Sequence, residues 1–537
     1  MDMQASAEST QTVSAVRKLA LWIIAVGIAW RLLRYLLHMP LWGDEASVAL
    51  TFLDRTWIDL LKPLENQQVA PIGFLWVESV VCRILGVSEL SLRLLPLLSG
   101  VAAMLIFMRL AFLSLGKQPA LIATGILAVA YYPVRHAVEA KPYSMDLLAS
   151  VAILMLATEY LLRRKRWSLV MLGLSMPLML AVSYPSVFVA GAASVAVGWG
   201  LRPGVARLDV NWRQLWIDRA LWVFWNLILL GSFAASLLLA GDGQYASTGS
   251  FMREFWKNSF PPAGLLPLLR WLFDVHTGLL FAYPTGGNHG GSIVSFVFFV
   301  VGVKVFWRRL PVPARLPGML LVVVPFALTL VAAALQRYPY GGQARISQHL
   351  APAICLMVGL GLWSVIEWFA RRRSALVRPG FEAASIRIVI AILFLMGGAG
   401  MIIDIVRPYK TLDDLRVRNV VERAFDVAGG TEGDGHVLIL QPRSAIPVNF
   451  AWYLRRRGER VQFGAPMPGA ADSRGQVVVG SFDPDVALPP PGFRIAMELQ
   501  PVAEERRFKI RPWPVEGDYV RFVVLSRDAG GDESPRR

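Results

Sequence analysis

The sequence predicts an all-α polytopic membrane protein of about eleven transmembrane helices, with a small α/β domain after them. Three observations predict this fold class. Of the 537 residues, 55% are hydrophobic and only 17% are charged, a balance that repeated membrane spans produce and that soluble proteins of this size rarely reach. Apolar runs of about 17–24 residues, each long enough for a helical span, recur along the chain. After residue 405 the composition becomes polar.

The apolar runs predict the individual spans, because only helices satisfy their own backbone groups inside a bilayer. The runs lie near residues 19–37, 94–115, 119–134, 145–162, 167–183, 186–201, 219–240, 290–307, 318–336, 346–369 and 385–405. A further run at 71–86 is short and contains Glu78 and Arg83. If that run crossed the membrane, every later loop would change sides.

The basic residues decide between these topologies. With 71–86 lying in the interface, the clusters between spans, including "RRKR" (163–166) and "RRR" (371–373), fall on one side. The positive-inside rule identifies this side as the cytoplasm. We therefore predict in-plane juxtamembrane helices over 46–62 and 71–86 of the first outer loop (38–93). The amino terminus is then inside and the carboxyl terminus outside.

Charge and cysteine usage exclude other classes of protein. The formal net charge of +16 would suggest nucleic acid for a soluble chain, but the basic residues lie between apolar runs and accompany no nucleic-acid-binding motif. We predict membrane lipids as partners and no nucleic acid. Cys82 and Cys355 lie far apart in apolar segments and form no disulfide framework or metal-ligand pattern. The first apolar run lacks a cleavage site and is too long for a signal peptide.

These patterns divide the chain into three parts: a cytoplasmic tail over 1–18, a transmembrane domain over 19–405 and an extracytoplasmic α/β domain over 406–537. The last part combines a helical pattern, "TLDDLRVRNVVERAF", with β-like runs "HVLILQ", "RGQVVVGS" and "YVRFVVLS". We predict accessory or acceptor-binding work for it. High Arg and Ala usage favours a bacterial inner membrane as the location of this multi-pass protein.

Three carboxylates are the candidate chemical groups of the outer side. Asp44 and Glu45 directly follow the first span, and Glu139 ends the third. Carboxylates at a membrane boundary are costly unless a cation or a proton joins them. Such a set suits deprotonation of an acceptor hydroxyl or amine, or binding of a divalent cation. The alternative is that Asp44 caps a helix starting at Ala46, with Glu45 in its first turn.

The order of several motifs resembles a known family. In chain order they are "LWGDEASVAL", "QQVAPIGFLWVES", "VSELSLRLLPLLSG", "YYPVRHAVEAKPYSMDLL" and "YPYGGQARISQHLAP". They resemble the polyprenyl-phosphate-sugar-dependent membrane glycosyltransferases of the C-type (GT-C) fold. Within these they are most similar to the protein O-mannosyltransferase and lipid A aminoarabinose transferase relatives, the family 39-like group. The resemblance covers roughly 19–405 and is strongest in the first third.

The resemblance implies an inverting transfer of a sugar from a polyprenyl-phosphate carrier to an acceptor at the outer face. It implies Asp44 as the general base and Glu45 as its support or as a ligand of the acceptor. Glu139 matches the second-loop acid, which shares the acceptor or a metal. A divalent metal ion is thus a candidate cofactor, with its ligands unknown, and no other cofactor is indicated.

Five further residues are predicted to bind substrate. Arg345 matches the late-loop arginine that partners the carrier phosphate, and Lys141 stands where the family has arginine, which keeps the charge but loses bidentate geometry. Arg337 can add a third cation, and Tyr143 lies in the same "EAKPYS" stretch as Glu139 and Lys141. Arg31 matches a family arginine at the end of the first span, where snorkelling to lipid headgroups is the alternative.

The sequence leaves several questions open. It names neither the sugar nor the acceptor, which is a glycan, a lipid or a protein. A transporter or flippase of lipid-linked sugars is the main alternative, and a non-catalytic scaffold is a further one. The charges discriminate between the first two: a transferase gathers them at one face, whereas a transporter spreads them along a path through the bundle.

Overall fold

The computed structural model describes two compact units of the chain. The described residues are 2–65, 67–202, 212–287, 289–372, 381–406, 436–440, 452–453, 460–463, 477–482, 493–499 and 521–527. One unit comprises Met1–His38 with Trp57–Val406, and the other Met39–Thr56 with Arg407–Arg537. The predicted division into three domains stays a prediction.

The described residues contain sixteen α-helices; α2 belongs to the second unit and the others to the first. In chain order they are α1 Asp2–Leu36, α2 Gly43–Asp54, α3 Ile72–Leu85, α4 Glu89–Leu115, α5 Lys117–Val129, α6 Tyr131–His136, α7 Tyr143–Arg163, α8 Arg166–Val182, α9 Ser186–Gly200, α10 Trp212–Ser236, α11 Asp242–Phe255, α12 Leu265–His276, α13 Gly291–Arg309, α14 Val312–Ala334, α15 Ala351–Arg372 and α16 Phe381–Val406. A 3₁₀ helix, Ala344–Leu350, precedes α15.

Each of the eleven predicted spans forms an apolar helix. Eight described helices are long and apolar enough to cross a membrane. The other three, α5, α8 and α9, have 13, 17 and 15 residues. At about 1.5 Å per residue, α5 is roughly 20 Å long, shorter than the hydrocarbon core of about 30 Å. It is buried continuously from Pro119 to Val129, packed among α1, α4, α15 and α16. The predicted membrane fold is confirmed.

The short run at 71–86 adds no crossing. It forms α3, a helix of 14 residues. The chain before and after it meets at one end of the bundle: the Tyr35 hydroxyl, at the end of α1, donates to the Leu90 carbonyl at the start of α4 over 2.9 Å. His38 Nε2 lies 3.4 Å from the Glu89 carboxylate at the same place. The segment therefore returns to the side it left, as the basic residues predict.

The first and last spans run in the same direction. Arg34 lies in the last turn of α1, and Asp404 lies in the last turn of α16. The two side chains form a buried salt bridge, so both helices end at the same end of the bundle. An odd number of crossings, such as the predicted eleven, places the ends of the first and last spans together in this way.

The second unit contains a five-stranded sheet. Its strands are β1 His436–Leu440, β2 Arg460–Phe463, β3 Val477–Phe482, β4 Phe493–Leu499 and β5 Arg521–Arg527, in the order β2-β1-β3-β5-β4. β1 pairs in parallel with β2 and β3, whereas β5 pairs antiparallel with β3 and β4. The three β-like runs of the sequence are β1, β3 and β5. The helical pattern at 411–425 lies outside the described residues.

Glycines bring α13 and α15 into close contact. A Cβ on Gly302 would stand 1.9 Å from the Met357 carbonyl oxygen, and one on Gly361 would stand 2.0 Å from the Phe298 carbonyl oxygen. Small residues at such positions let membrane helices approach closely enough for van der Waals packing, which stabilises bundles in the absence of a hydrophobic effect between helices. The two glycines thus set the distance between these helices.

We expect Gly302→Ala to lower the free energy of unfolding by about 1–3 kcal/mol, because the new methyl group must push backbone apart. Gly231→Ala in α10 is the matched control, since no atom lies within 4 Å of its would-be Cβ; it should leave stability equal or higher. The measurement is the melting temperature of each variant in detergent, monitored by fluorescence-detection size-exclusion chromatography. Equal melting temperatures for Gly302→Ala and the unchanged protein would contradict the close contact.

Candidate functional site

The candidate site is built on α6 and the loop that joins it to α7. The helix α5 ends at Val129 because Ala130 adopts an extended backbone, with φ −61° and ψ 125°. The chain then forms the six-residue α6, and α7 begins after Pro142. The carboxylate of Glu139 follows Arg135 by four residues, a spacing that brings two side chains to one side of a helical turn.

Both oxygens of the Glu139 carboxylate accept hydrogen bonds. Arg135 Nε lies 2.7 Å from Oε1, and His136 Nδ1 lies 2.9 Å from Oε2. All three side chains are buried. A buried carboxylate is costly unless it is paired and hydrogen-bonded, and these two partners meet that requirement.

The ion pair at Glu139 continues into a buried network that joins three helices. The Arg135 guanidinium lies 3.4 Å from the Tyr131 hydroxyl, and that hydroxyl donates to Asp404 Oδ1 over 2.9 Å. Asp404 also forms the salt bridge with Arg34. The network, defined as Arg34, Asp404, Tyr131, Arg135 and Glu139, therefore ties the ends of α1 and α16 to the candidate carboxylate.

Two partners, Arg135 and His136, keep Glu139 ionised. Burial alone would raise the pKa of Glu139, but the charge and hydrogen bonds of its partners outweigh burial and hold this pKa well below its usual range. Burial lowers the pKa of His136, and the charges of Arg135 and Arg345 lower it further against the opposing effect of Glu139. Arg135 is therefore the lasting cationic partner of Glu139 near neutral pH.

Lys141 and Tyr143 lie beside this group. Lys141 is buried and its Nζ donates to Oε1 of Gln68, in the loop before α3. The Tyr143 ring contacts the His136 ring edge-on at 5.1 Å between centroids. Tyr132 stacks on His136 at 5.9 Å between centroids. The imidazole thus contacts two aromatic rings, and its Nδ1 is directed at Glu139.

Arg345 and Arg337 both lie over aromatic rings. Arg345, in the 3₁₀ helix before α15, is buried with its guanidinium carbon 5.1 Å from the Trp256 ring centroid. Arg337 is exposed and lies 4.6 Å from the centre of the Tyr245 ring. Stacking on an aromatic face restrains a guanidinium while leaving its edge N–H groups able to donate. The 3₁₀ helix that carries Arg345 packs against α6 and α7, the two helices on either side of Glu139.

Arg31 does not point out to the membrane surface. Its guanidinium is fully buried, and its terminal nitrogens donate to the carbonyl oxygens of Gly27, Leu127 and Ala128 over 2.9, 3.5 and 3.1 Å. The last two carbonyls belong to the end of α5, where carbonyl groups lack helical partners. Snorkelling is therefore excluded, and the contacts are those of a residue that caps α5. Substrate binding by Arg31 stays a prediction.

Asp44 and Glu45 lie in the first turn of α2, in the second unit. The helix begins at Gly43 rather than Ala46, and the residue that satisfies its start is Glu45, whose Oε2 accepts from the Trp42 N–H over 3.2 Å. Capping by Asp44 was therefore the wrong alternative. Glu45 is fully buried, and Asp44 is half-buried beside it. The positive end of the helix dipole favours a carboxylate at both positions.

No three His, Cys, Asp or Glu side chains come together as a metal site within the described part of the chain. Sequence reasoning missed the residues that hold Glu139: Arg34, Tyr131, Arg135, His136 and Asp404. The i,i+4 spacing of Arg135 and Glu139 was a readable signal. The sequence contains no such signal for Asp404, because its partners Tyr131 and Arg34 lie about 270 and 370 residues earlier.

We expect Arg135→Gln to destabilise the protein by about 3–5 kcal/mol at neutral pH, because it leaves a buried carboxylate without its cation. In the unchanged protein the pKa of Glu139 is lower in the folded state than in the unfolded state. This difference stabilises the protein at every pH above the unfolded-state pKa, and the stabilisation is lost only as the pH falls through the folded-state pKa. Without Arg135, burial raises the pKa of Glu139. The carboxylate then becomes protonated on acidification, which removes the free-energy cost of burying its charge. The melting-temperature difference should therefore be larger at about pH 7 than at about pH 5.

The double variant Arg135→Gln/Glu139→Gln is the control for this prediction, since it removes both charges and should recover much of the lost stability. A melting-temperature difference that is independent of pH, or a double variant as unstable as the single one, would contradict the pairing.

Comparisons with known proteins agree with this architecture. The family model described as "Dolichyl-phosphate-mannose-protein mannosyltransferase" matches residues 69–227, which include Glu139, Lys141 and Tyr143. The crystal structure of ArnT from Cupriavidus metallidurans in the apo state is similar with a TM-score of 0.55 and 13% identity, over 96% of this chain and 98% of that chain.

The same bacterial protein bound to undecaprenyl phosphate gives a TM-score of 0.52 and 15% identity, with 96% and 98% of the two chains covered. No curated protein matches the chain by sequence. The structural likeness extends through almost the whole chain, and the family match supports a glycosyltransferase in general. The chain thus has the fold of the C-type membrane glycosyltransferases and resembles, over residues 69–227, the dolichyl-phosphate-mannose-protein mannosyltransferases.

Proposed function

We propose that this protein is an inverting glycosyltransferase that moves a sugar from a polyprenyl-phosphate carrier to an acceptor at the outer face of the membrane. The observation that carries the proposal is the buried group around Glu139, where one ionised carboxylate lies among Arg135, His136 and Lys141 at one end of the bundle. The similar ArnT structure bound to undecaprenyl phosphate supports a lipid phosphate as the carrier.

The cations suit the departure of a lipid phosphate. As the bond between the sugar and the phosphate oxygen breaks, the bonding electron pair goes to that oxygen and its negative charge grows. Preorganised donors stabilise such a charge best in a site that excludes water. Lys141 and Arg345 are both buried, and we assign them to the phosphate. Charge-assisted hydrogen bonds of this kind are roughly twice as strong as neutral ones.

The two acids of the first outer loop receive different roles. We assign the general base to the half-buried Asp44, as the resemblance in motif order implies, while the Glu45 carboxylate accepts a hydrogen bond at the start of α2. The acceptor oxygen or nitrogen forms a bond to the anomeric carbon from the side opposite the phosphate. Its proton passes to Asp44, and a single displacement of this kind inverts the anomeric centre.

Glu139 is a poor base in this arrangement, because two donors occupy its oxygens and its pKa is held low. We assign it to fixing His136 and to binding the acceptor by its remaining lone pairs. A divalent cation stays part of the prediction, with no step assigned to it. The bacterial inner membrane and the outer location of the site are likewise proposed.

The alternative, a transporter or flippase of lipid-linked sugars, needs charged groups along a path through the bundle. Ion pairs in the described first unit instead gather towards its two ends. The pairs of Arg34 and Glu139 lie at the end where α7 begins, and those of Glu159 and Asp218 lie at the other. α7 alone, with 21 residues, separates these ends by about 30 Å. This distribution favours the transferase.

We expect Asp44→Asn to reduce sugar transfer by about 10²–10⁴-fold, the usual contribution of a general base. The native host lacking the gene, complemented with each variant, would be compared by mass spectrometry of envelope glycans and lipids. Asp59→Asn, at a half-buried loop carboxylate that pairs with Lys62, is the matched control and should restore the product. If Asp44→Asn gave as much product as the unchanged protein at equal expression, Asp44 would not be the general base. If the envelope glycans and lipids were the same with and without the gene, the protein would not be the proposed transferase.

We expect Arg345→Gln to lower transfer by about ten- to a hundredfold, because a charge-assisted contact to phosphate is worth about 1.5–3 kcal/mol. Arg345→Lys keeps the charge and should recover part of this loss. The exposed Arg270→Gln in α12 is the control. Product levels in the same complemented host provide the measurement, and equal levels for Arg345→Gln and Arg270→Gln would exclude the phosphate role.

A further inference from the structure

A cationic cluster surrounds one buried carboxylate at the end of the bundle opposite the candidate site. Glu159, near the end of α7, is fully buried. Arg163 and Lys165 lie 3.0 Å from its Oε1, and Arg109 of α4 lies 3.7 Å from the same atom. The three cationic side chains are 43–60% exposed. One carboxylate thus meets three cations, whose outer surfaces face away from the protein.

Neighbouring residues do not cancel this excess. Arg166 pairs with Asp218 over 2.6 Å. Arg164 donates to neutral groups, the Gly200 carbonyl at 3.0 Å and the Tyr160 hydroxyl at 3.4 Å. Together with the three cations on Glu159, these side chains carry five positive charges against two carboxylates, a formal excess of three.

An apolar cavity begins beside the same residues. It has a volume of about 60 Å³ and lies between α4, α7, α13, α14 and α15. Leu110 lines it next to Arg109, while Thr158 and Leu162 line it on either side of Glu159 along α7. Its far wall includes Ala314 and Gly318 of α14. The lining is almost wholly aliphatic, so the cavity suits a hydrocarbon chain and offers little to a polar ligand.

We propose that the cluster and the cavity form one binding site for an anionic phospholipid. The lipid phosphate bridges Arg109, Arg163 and Lys165, and one acyl chain enters the cavity below them. A basic pocket between helices at the cytoplasmic surface is the kind of site that selects anionic headgroups, and the predicted topology gives this end of the bundle that position. A zwitterionic lipid would leave the local excess of charge in place. The site is separate from the proposed transfer chemistry, from which it lies a whole span away.

The experiment compares lipid binding to the purified full-length protein in neutral detergent. Native mass spectrometry would count bound dioleoyl-phosphatidylglycerol against dioleoyl-phosphatidylcholine, which has the same chains. We expect the anionic lipid to bind at least about tenfold more tightly. Arg163→Gln/Lys165→Gln should bind phosphatidylglycerol about twenty-five-fold more weakly, since each basic residue near an anionic surface contributes about fivefold. Arg387→Gln, an exposed arginine of α16, removes a charge elsewhere and should bind as the unchanged protein does.

Ala314→Trp tests the cavity, because the indole fills space that the chain requires; it should weaken phosphatidylglycerol binding with the basic residues intact. A melting temperature close to that of the unchanged protein shows that each variant folds. Equal binding of the two lipids, an equal loss in Arg387→Gln, or unchanged binding in Ala314→Trp would overturn the proposal. Undecaprenyl phosphate should bind the double variant and the unchanged protein alike; a loss there would assign the site to the carrier lipid instead.

Discussion

Buried charge is the constraint on which this structure depends. A bilayer offers no water to a charged side chain, so each one must meet an opposite charge or a strong hydrogen-bonding partner. The network from Arg34 through Asp404, Tyr131 and Arg135 to Glu139 meets this need with residues from three parts of the chain. It fixes the ends of the first and last spans together and at the same time prepares an ionised carboxylate for the candidate site.

The network also changes the roles that the acids can have. Side chains that are strongly paired hold their protonation state, which is useful for positioning and poor for accepting a proton. Glu139 belongs to this class, because two donors occupy its carboxylate. Asp44 differs from Glu139 and Glu45 in being half-buried, whereas both of them are buried. The proposed division of labour among the three acids follows from these surroundings, since their chemistry in isolation is nearly the same.

The two ends of the first unit use charge in different ways. At one end, cations and carboxylates are buried and matched, which suits a precise site. At the other, Glu159 is outnumbered by half-exposed cations, which suits contact with an anionic surface. α7 runs between the two ends with an apolar middle. A single helix therefore connects a proposed site of chemistry with a proposed site of lipid binding, and the positive-inside bias accounts for their opposite character.

The sequence by itself determined the membrane fold and the eleven apolar helices, because hydrophobic length is a local property. It also identified three strands of the sheet and pointed to Glu139, Lys141 and Arg345 through a resemblance in motif order. Only the tertiary structure decided which side chains these residues contact. Asp404 reaches Arg34 and Tyr131 across most of the chain, and Arg31 turns inward to the end of α5. Such pairings follow from how helices pack, and a pattern along one segment contains no information about a partner hundreds of residues away.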